Sequence, residues 1–354
     1  MQSQELSKLL FCEQLQPLIN QRFPQIKFGA GSFGMCSENL GFDDEVSRDH
    51  EWGPRVTLYL SQDDFEKHAN EIEKALKDSL PETFHGFEMM WRQEGVDIHD
   101  TSKKALYNVY INTLPRRLGF CGGSLPLKDV DWLNVSEQHL LEFTSGTIHR
   151  DDFGELTKAR EMLAFYPDDV LKFLLMCEWN ALGSDWFPIG RIATRGDCLG
   201  LKVQTAKVAE HIMRIAFHVS RKYSTYKKWF GTLFSRLPIA IDLSPVLENM
   251  LNEDDWKKTE GHIGKASEIL LDWQNKLNIS QELKLKAEIV DNGRHHIKFD
   301  FWDIGSKLSE NLPQSLKDIL DRQVFWLDEK NLILWNHETG KWPIFLTENK
   351  QPPK

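Results

Sequence analysis

The spacing of apolar residues changes character at Gly154, and no other feature of the chain limits its fold as strongly. Before that point, strand-length apolar runs alternate with amphipathic stretches. Residues 55–60 (RVTLYL) read as a strand, and Ser61 then caps a helix over about 63–80 whose stripe holds Phe65, Ile72, Ala75 and Leu76. Leu6, Leu9, Leu10, Leu18 and Ile19 share one helical face, which predicts an opening helix that ends before Pro24. Residues 26–30 read as a strand entering a turn at Gly31 and Ser32, and 87–91 and 147–149 as further strands. The run 105–111 fits either a strand or a short helix, and 136–143 a helix. After Gly154 the pattern is helical, over about 155–165, 168–181, 199–223 and 254–277. A mixed sheet flanked by helices, followed by a helical part, is an α+β organisation. Beyond residue 278, short apolar runs such as HHIKFDFW and NLILWN alternate with turn residues, as in a small appended unit. The expected domains are therefore 1–153, 154–278 and 279–354, with a compact first boundary because no low-complexity linker separates the halves.

With 354 residues the chain is long enough for a substantial core, and 27% charged against 41% hydrophobic residues is the balance of a soluble globular protein. The net charge of -10 and pI near 5.7 argue against a broad electrostatic footprint for nucleic acid. Cys12, Cys36, Cys121, Cys177 and Cys198 are odd in number and lack C-x-x-C spacing, so neither a disulfide framework nor a structural zinc site is indicated. No basic leader with an apolar core is visible, and no apolar run approaches the roughly 18 residues that span a bilayer. The expectation is a cytoplasmic chain with no membrane partner.

Chemistry concentrates between Gly31 and Arg55. Gly31, without a side chain, and Ser32, with a hydroxyl, suit close approach of backbone N–H groups to phosphate oxygens. Asp49 and Glu51 follow after a gap of 16 residues. In an extended segment the period of two puts both carboxylates on one face, where they converge on hard cations, while His50 and Trp52 face the other way. The plain alternative is a polar loop with a capping serine and a charged strand end. Other chemistries lack their motifs: there is no G-x-x-x-x-G-K-[ST], H-E-x-x-H or G-x-S-x-G.

The Gly-Ser pair followed by Asp49-His50-Glu51-Trp52 resembles the signature of the DNA polymerase beta-like nucleotidyltransferase superfamily, with a somewhat longer gap than usual. GFDDEVSRDHEWGPR (41–55), GTIHRDDFGELTKAREMLAFYPDD (146–169), YSTYKKWFGTLFSRLP (223–238) and the helix around Arg214 and Phe217 resemble one branch of it. That branch is a group of nucleotidyltransferases whose helical half is domain of unknown function 4037. The likeness runs from about Phe28 to Leu237 and fades beyond Ser244.

The resemblance implies transfer of a nucleoside monophosphate, AMP from ATP before other triphosphates, to an acceptor hydroxyl with release of pyrophosphate. Two Mg2+ ions roughly 3.5 to 4 Å apart would serve such a transfer. Asp49 and Glu51 are the first-choice ligands. By resemblance Asp151 is the third carboxylate, as metal ligand or general base, with Asp152 competing; apart from the family, an acidic pair after a short strand is usually a helix cap. Gly31 and Ser32 would hold phosphates, and Arg214, Arg221 and Lys228 are candidate cations, Lys228 lying in the matching YSTYKKW segment. Tyr223, Tyr226 and Trp229 are stacking or packing residues. Arg48 and Arg55 are candidate salt-bridge partners of the acidic pair, and Asp43 and Asp44 turn residues. A small-molecule acceptor is expected first, by fold-level analogy. A protein or RNA acceptor, or a nucleotide-binding interaction protein without turnover, are the alternatives.

Overall fold

The computed structural model describes residues 1–48, 52–89, 109–290 and 296–320. In chain order the elements are α1 (Ser3–Leu10), α2 (Gln16–Arg22), β1 (Gly29–Ser32), β2 (Val56–Leu60), α3 (Gln62–Ser79), β3 (Thr83–Phe84), β4 (Phe87–Glu88), β5 (Val109–Thr113) and α4 (Leu114–Arg117). There follow α5 (Asp129–Trp132), α6 (Glu137–Thr144), β6 (Thr147–Asp151), α7 (Glu155–Met162), α8 (Asp168–Trp186), α9 (Ile189–Ala193) and α10 (Cys198–Val219). The last are α11 (Lys227–Phe234), α12 (Ala240–Asn252), α13 (Trp256–Lys276), β7 (Ala287–Val290), β8 (His296–Phe299), α14 (Phe301–Ser309) and α15 (Gln314–Leu320). The fold is mixed α+β, as the change in apolar spacing implies. Two compact units divide it: Met1–Leu127 with His139–Ala164, and Lys128–Gln138 with 165–320 of the described residues. No helix of the described residues is long and apolar enough to cross a membrane.

The first unit is built on a four-stranded sheet in the order β5-β2-β1-β6. Strand β1 is antiparallel to both neighbours, whereas β2 and β5 run parallel. Val56, Leu58 and Leu60 of β2 are buried, and Ile72, Ala75 and Leu76 of α3 share their core. Ser61 caps α3 by accepting from the Asp64 N–H at 3.1 Å, the expected N-terminal signal. The opening helix adds Leu6, Leu10, Leu15 and Ile19 to that core. It widens into a π turn at Phe11–Leu15, just ahead of Pro17. Proline has no N–H for the carbonyl four residues back and its ring crowds that carbonyl, so the turn before it loosens.

Two local readings are sharpened here. The ambiguous run 105–111 contains β5, a strand beginning at Val109, while 105–108 lie outside the described residues. The strand expected at 87–91 is the short β4 in a hairpin with β3, with Trp91 outside the described residues. His85 and Gly86 join the two with positive φ of 48° and 82°, the twist of a two-residue type I′ turn.

In the second unit α8 is apolar around most of its circumference, with Val170, Leu171, Phe173, Leu174, Leu175 and Met176 all buried. A helix of that kind belongs inside its neighbours. Trp179 stacks on Phe301 of α14 at 5.8 Å and donates to Gln274 of α13 at 2.8 Å. Helices α11 and α12 occupy residues 227–252, where the sequence reading placed none; Gly231, Pro238 and Pro245 interrupt the periodic signal there.

A buried ionic clamp joins α8 to α10. His211 Nδ1 lies 2.9 Å from Glu178 Oε2 and Nε2 3.1 Å from Asp185 Oδ2, so both ring nitrogens face carboxylates. Burial alone would raise Glu178, but its hydrogen bond to His211, with nearby cationic groups, holds it below its ordinary value of 4.5. The same imidazole is the main cause of a depressed Asp185.

Both depressed carboxylates contribute stability that is complete above their ordinary range and lost as pH falls through the lower folded values. His211→Leu leaves Glu178 buried and unpaired and is expected to cost about 3–5 kcal/mol near neutral pH. The difference in urea midpoint between wild type and variant should then shrink from about pH 6 down to about pH 3, because protonation removes the wild type's gain at Glu178 and relieves the variant's unpaired carboxylate.

Candidate functional site

Gly31 and Ser32 do not form the expected turn. They are the last two residues of β1, and the chain turns only afterwards, at Gly34 (φ 116°) and Cys36 (φ 96°). The reason is the pairing with β6. Gly29 lies opposite Asp151 and Ala30 opposite Arg150, but the register shifts before Gly31 pairs with Ile148 and Ser32 with Thr147. A bulge of this kind brings backbones close. A Cβ on Gly31 would stand 2.7 Å from the Phe33 ring and 2.9 Å from the Thr147 carbonyl oxygen. Opposite, Gly146 has φ 70°, and a Cβ there would meet the Ser32 carbonyl oxygen at 2.2 Å.

Ser32 is 2% exposed. Its hydroxyl donates to Asn39 Oδ1 at 3.2 Å, and Gln4 Nε2 reaches the same Asn39 oxygen at 2.6 Å and the Ser32 carbonyl at 3.3 Å. Asn39 is itself oriented by donating to the Met35 carbonyl at 2.9 Å. Gln4 and Asn39 thus hold the serine in place. Neither carries a local sequence signal, because they lie 28 and 7 residues from it.

The first-choice metal carboxylates, Asp49 and Glu51, lie outside the described residues. Of their neighbours, Arg48 lies 3.8 Å from Asp43 and stacks over Trp52 at 4.4 Å. Arg55 contacts Cys36 Sγ at 2.7 Å and Glu38 at 3.8 Å. Asp44 accepts from the Ser47 N–H at 2.7 Å, a turn role, and Asp43 accepts from the Trp52 indole at 2.7 Å.

Asp151 ends β6 and Asp152 follows it, and the two are in different states. Asp152 has both oxygens engaged, by the Phe28 N–H at 3.1 Å and Arg150 Nε at 2.8 Å, and that hydrogen bond from Arg150 holds it below its ordinary value. Asp151 Oδ2 accepts from the Thr157 N–H and hydroxyl, both at 2.9 Å, which caps the first turn of α7. Its Oδ1 is buried without a hydrogen-bond partner among the described residues. Because Gly29 rather than Ser32 lies opposite it, Asp151 sits about three residues, some ~10 Å, along the ladder from the serine. Among the described residues no group of three or more His, Cys, Asp or Glu gathers as a metal cage.

Two cations near Phe33 were invisible in the sequence. Arg117 Nη2 lies where a Cβ on Gly34 would come within 2.8 Å, and its guanidinium is 5.6 Å from the Phe33 ring. Arg160 stands 4.6 Å from that ring and donates to the carbonyls of Phe143, Ser145 and Gly146, closing the end of α6. Burial lowers Arg160 to about 10 and raises the Tyr59 phenol, stacked on Phe33, to about 12.

The remaining candidates belong to the second unit. Arg214 is bound to Glu210 at 2.8 Å and lies 5.4 Å from the Phe230 ring. Lys228 is exposed and stands over the neighbouring Trp229 at 5.0 Å. Arg221 pairs with Asp168 at 2.6 Å, the surface role weighed against substrate contact. Tyr223 and Trp229 are buried.

The model of a family described as a domain of unknown function (DUF4037) matches residues 132–230. That span contains Asp151, Arg214 and Lys228 but none of Gly31, Ser32, Asp49 and Glu51. No protein of curated function matches the chain. Among solved structures, a nucleotidyltransferase-like protein from Exiguobacterium sibiricum 255-15 aligns over 90% of this chain and 91% of its own, at 10% identity and a TM-score of 0.32. A likeness so loose carries no conclusion about fold or activity.

The glycine contacts have a measurable consequence. Gly146→Ala combines a left-handed backbone with overlap onto the Ser32 carbonyl, and is expected to cost roughly 2–4 kcal/mol in urea unfolding. Gly154→Ala, at a similar φ of 69° but with nothing near its Cβ, should cost only the backbone part, about 1–2 kcal/mol.

Proposed function

We propose that the chain is a Mg2+-dependent nucleotidyltransferase that moves AMP from ATP to a hydroxyl of a small molecule and releases pyrophosphate. The observation that carries the reading is the placement of Gly31 and Ser32. They end an interior strand of a mixed sheet, and the acidic Asp49-x-Glu51 lies on the chain between that strand and β2.

In this reading phosphate oxygens lie against the backbone of the turn that follows Ser32, whose hydroxyl is donated to Asn39 and fixes where that turn starts, and Arg117 beside Gly34 supplies positive charge without a carboxylate partner among the described residues. Asp49 and Glu51 would hold the metal, which neutralises charge building on the transferring phosphoryl group. Asp151, with its one uncommitted oxygen, is the third carboxylate of the proposal; Asp152, with both oxygens engaged, is the weaker choice. Arg214 and Lys228 remain proposed nucleotide contacts from the helical unit.

Labelled ATP, Mg2+ and a cell extract should yield label in small molecules. Asp49→Ala and Glu51→Ala should each lower that transfer by roughly a hundredfold or more while the cooperative unfolding transition stays within error of the wild type. Full transfer by either variant would overturn the assignment, and label entering protein or RNA instead would replace the acceptor class.

A further inference from the structure

The helical unit contains a cavity of about 510 Å³, a size that accommodates a small organic molecule. Ala209, Met213 and Arg214 of α10, Lys227 and Phe230 of α11, and Leu251 at the end of α12 line it. One wall is the segment Ser224–Tyr226, and it is unusually fixed for a connection between helices. Glu137 Oε2 accepts from the Ser224 N–H at 2.8 Å and from its hydroxyl, and Gln138 Oε1 accepts from the Thr225 hydroxyl at 3.0 Å and the Tyr226 N–H at 2.9 Å. All of Ser224, Thr225, Glu137 and Gln138 are buried. Four hydrogen bonds therefore hold the wall in one shape before any ligand arrives, the preorganisation that binding sites need.

From this wall and its surroundings we infer that the cavity binds a planar aromatic molecule carrying a negative charge. Phe230, Met213 and Leu251 offer ring and thioether surface to an aromatic body. Its lining carries two carboxylates, Glu137 and Glu210, and two cations, Arg214 and Lys227, and they differ in how they are committed. Glu210 is taken by Arg214, and Glu137 by Ser224 with His218 3.7 Å away, whereas Lys227 has no carboxylate partner among the described residues. The exposed Lys227 is therefore the cation left for an anionic group of a ligand. A nucleotide base with its phosphate and a free aromatic acid share this chemistry. The inference stands whether or not the chain transfers nucleotides.

Anilinonaphthalene sulfonate, a fluorescent aromatic anion, is the probe. Wild-type protein should bind it saturably at one site, with near-UV dichroism confirming that the native state is intact. Gly231 lines the cavity, sits within α11 and has nothing within 4 Å of where a Cβ would be, so a large side chain there fills the space without strain. Gly231→Trp should weaken binding by about tenfold or more, Lys227→Glu by about fivefold, and Lys222→Glu, away from the cavity, should leave it unchanged. Absence of saturable binding by the wild type, or wild-type affinity in Gly231→Trp, would overturn the site; wild-type affinity in Lys227→Glu would overturn the anionic class. Displacement of the probe by ATP identifies a nucleotide as the occupant, and displacement by benzoate but not by ATP identifies a free aromatic acid. Since the probe reads occupancy directly, loss of this site and loss of nucleotidyl transfer are separate results.

Discussion

The close approach of two backbones at the end of β1 is the constraint on which the candidate site depends. Gly31 and Gly146 lack side chains where any Cβ would strike Phe33, the Thr147 carbonyl or the Ser32 carbonyl. Removing those two side chains lets β1 bulge and still pair with β6 on both sides of the irregularity. The bulge sets where Ser32 ends and where the following turn starts. A regular ladder would advance the pairing by a residue and turn the serine to the other face.

Around that point the polar groups are held rather than solvated. Ser32, Asn39 and Gln4 form a chain of hydrogen bonds in a buried setting, where an unpaired group is costly and a satisfied network rigid. Arg160 acts in a similar way on the end of α6, gathering the Phe143 carbonyl of its last turn and the Ser145 and Gly146 carbonyls just beyond it. Its burial lowers its pKa to about 10, still well above neutral, so it keeps its charge. The result is a rigid corner with positive charge from Arg117 and Arg160, a setting that favours an anion more than a second cation unless carboxylates join it.

Much of this architecture was legible from local signals. The Ser61 cap and the stripe of α3, the alternation in β2 and the apolar length of α8 and α10 are each decided by residues within a few positions of one another. The site was less legible. That Gly31 belongs to a strand depends on Thr147 and Phe33, and no short-range pattern distinguishes a bulge glycine from a turn glycine. Arg117 and Arg160 stand in no motif that the sequence singles out, and only the fold brings them to Phe33. Asp151 carried two readings, cap and ligand. One of its oxygens does the first job while the other has no partner among the described residues, so the capping geometry does not exclude the second.

The helical unit puts its polar groups to a different use. In the His211 clamp, charges are buried to join two helices, and the attraction must outweigh desolvation of three ionisable groups. At Glu137 and Gln138 the buried acceptors hold backbone and hydroxyl donors of a loop instead, so the ordering falls on a cavity wall rather than a helix contact. Core packing alone would not require that arrangement: an apolar loop sealed by Phe230 and Met213 would fill the same space without desolvating a carboxylate. A wall fixed by buried polar groups beside an apolar cavity is better explained by a ligand that must meet it in a defined orientation.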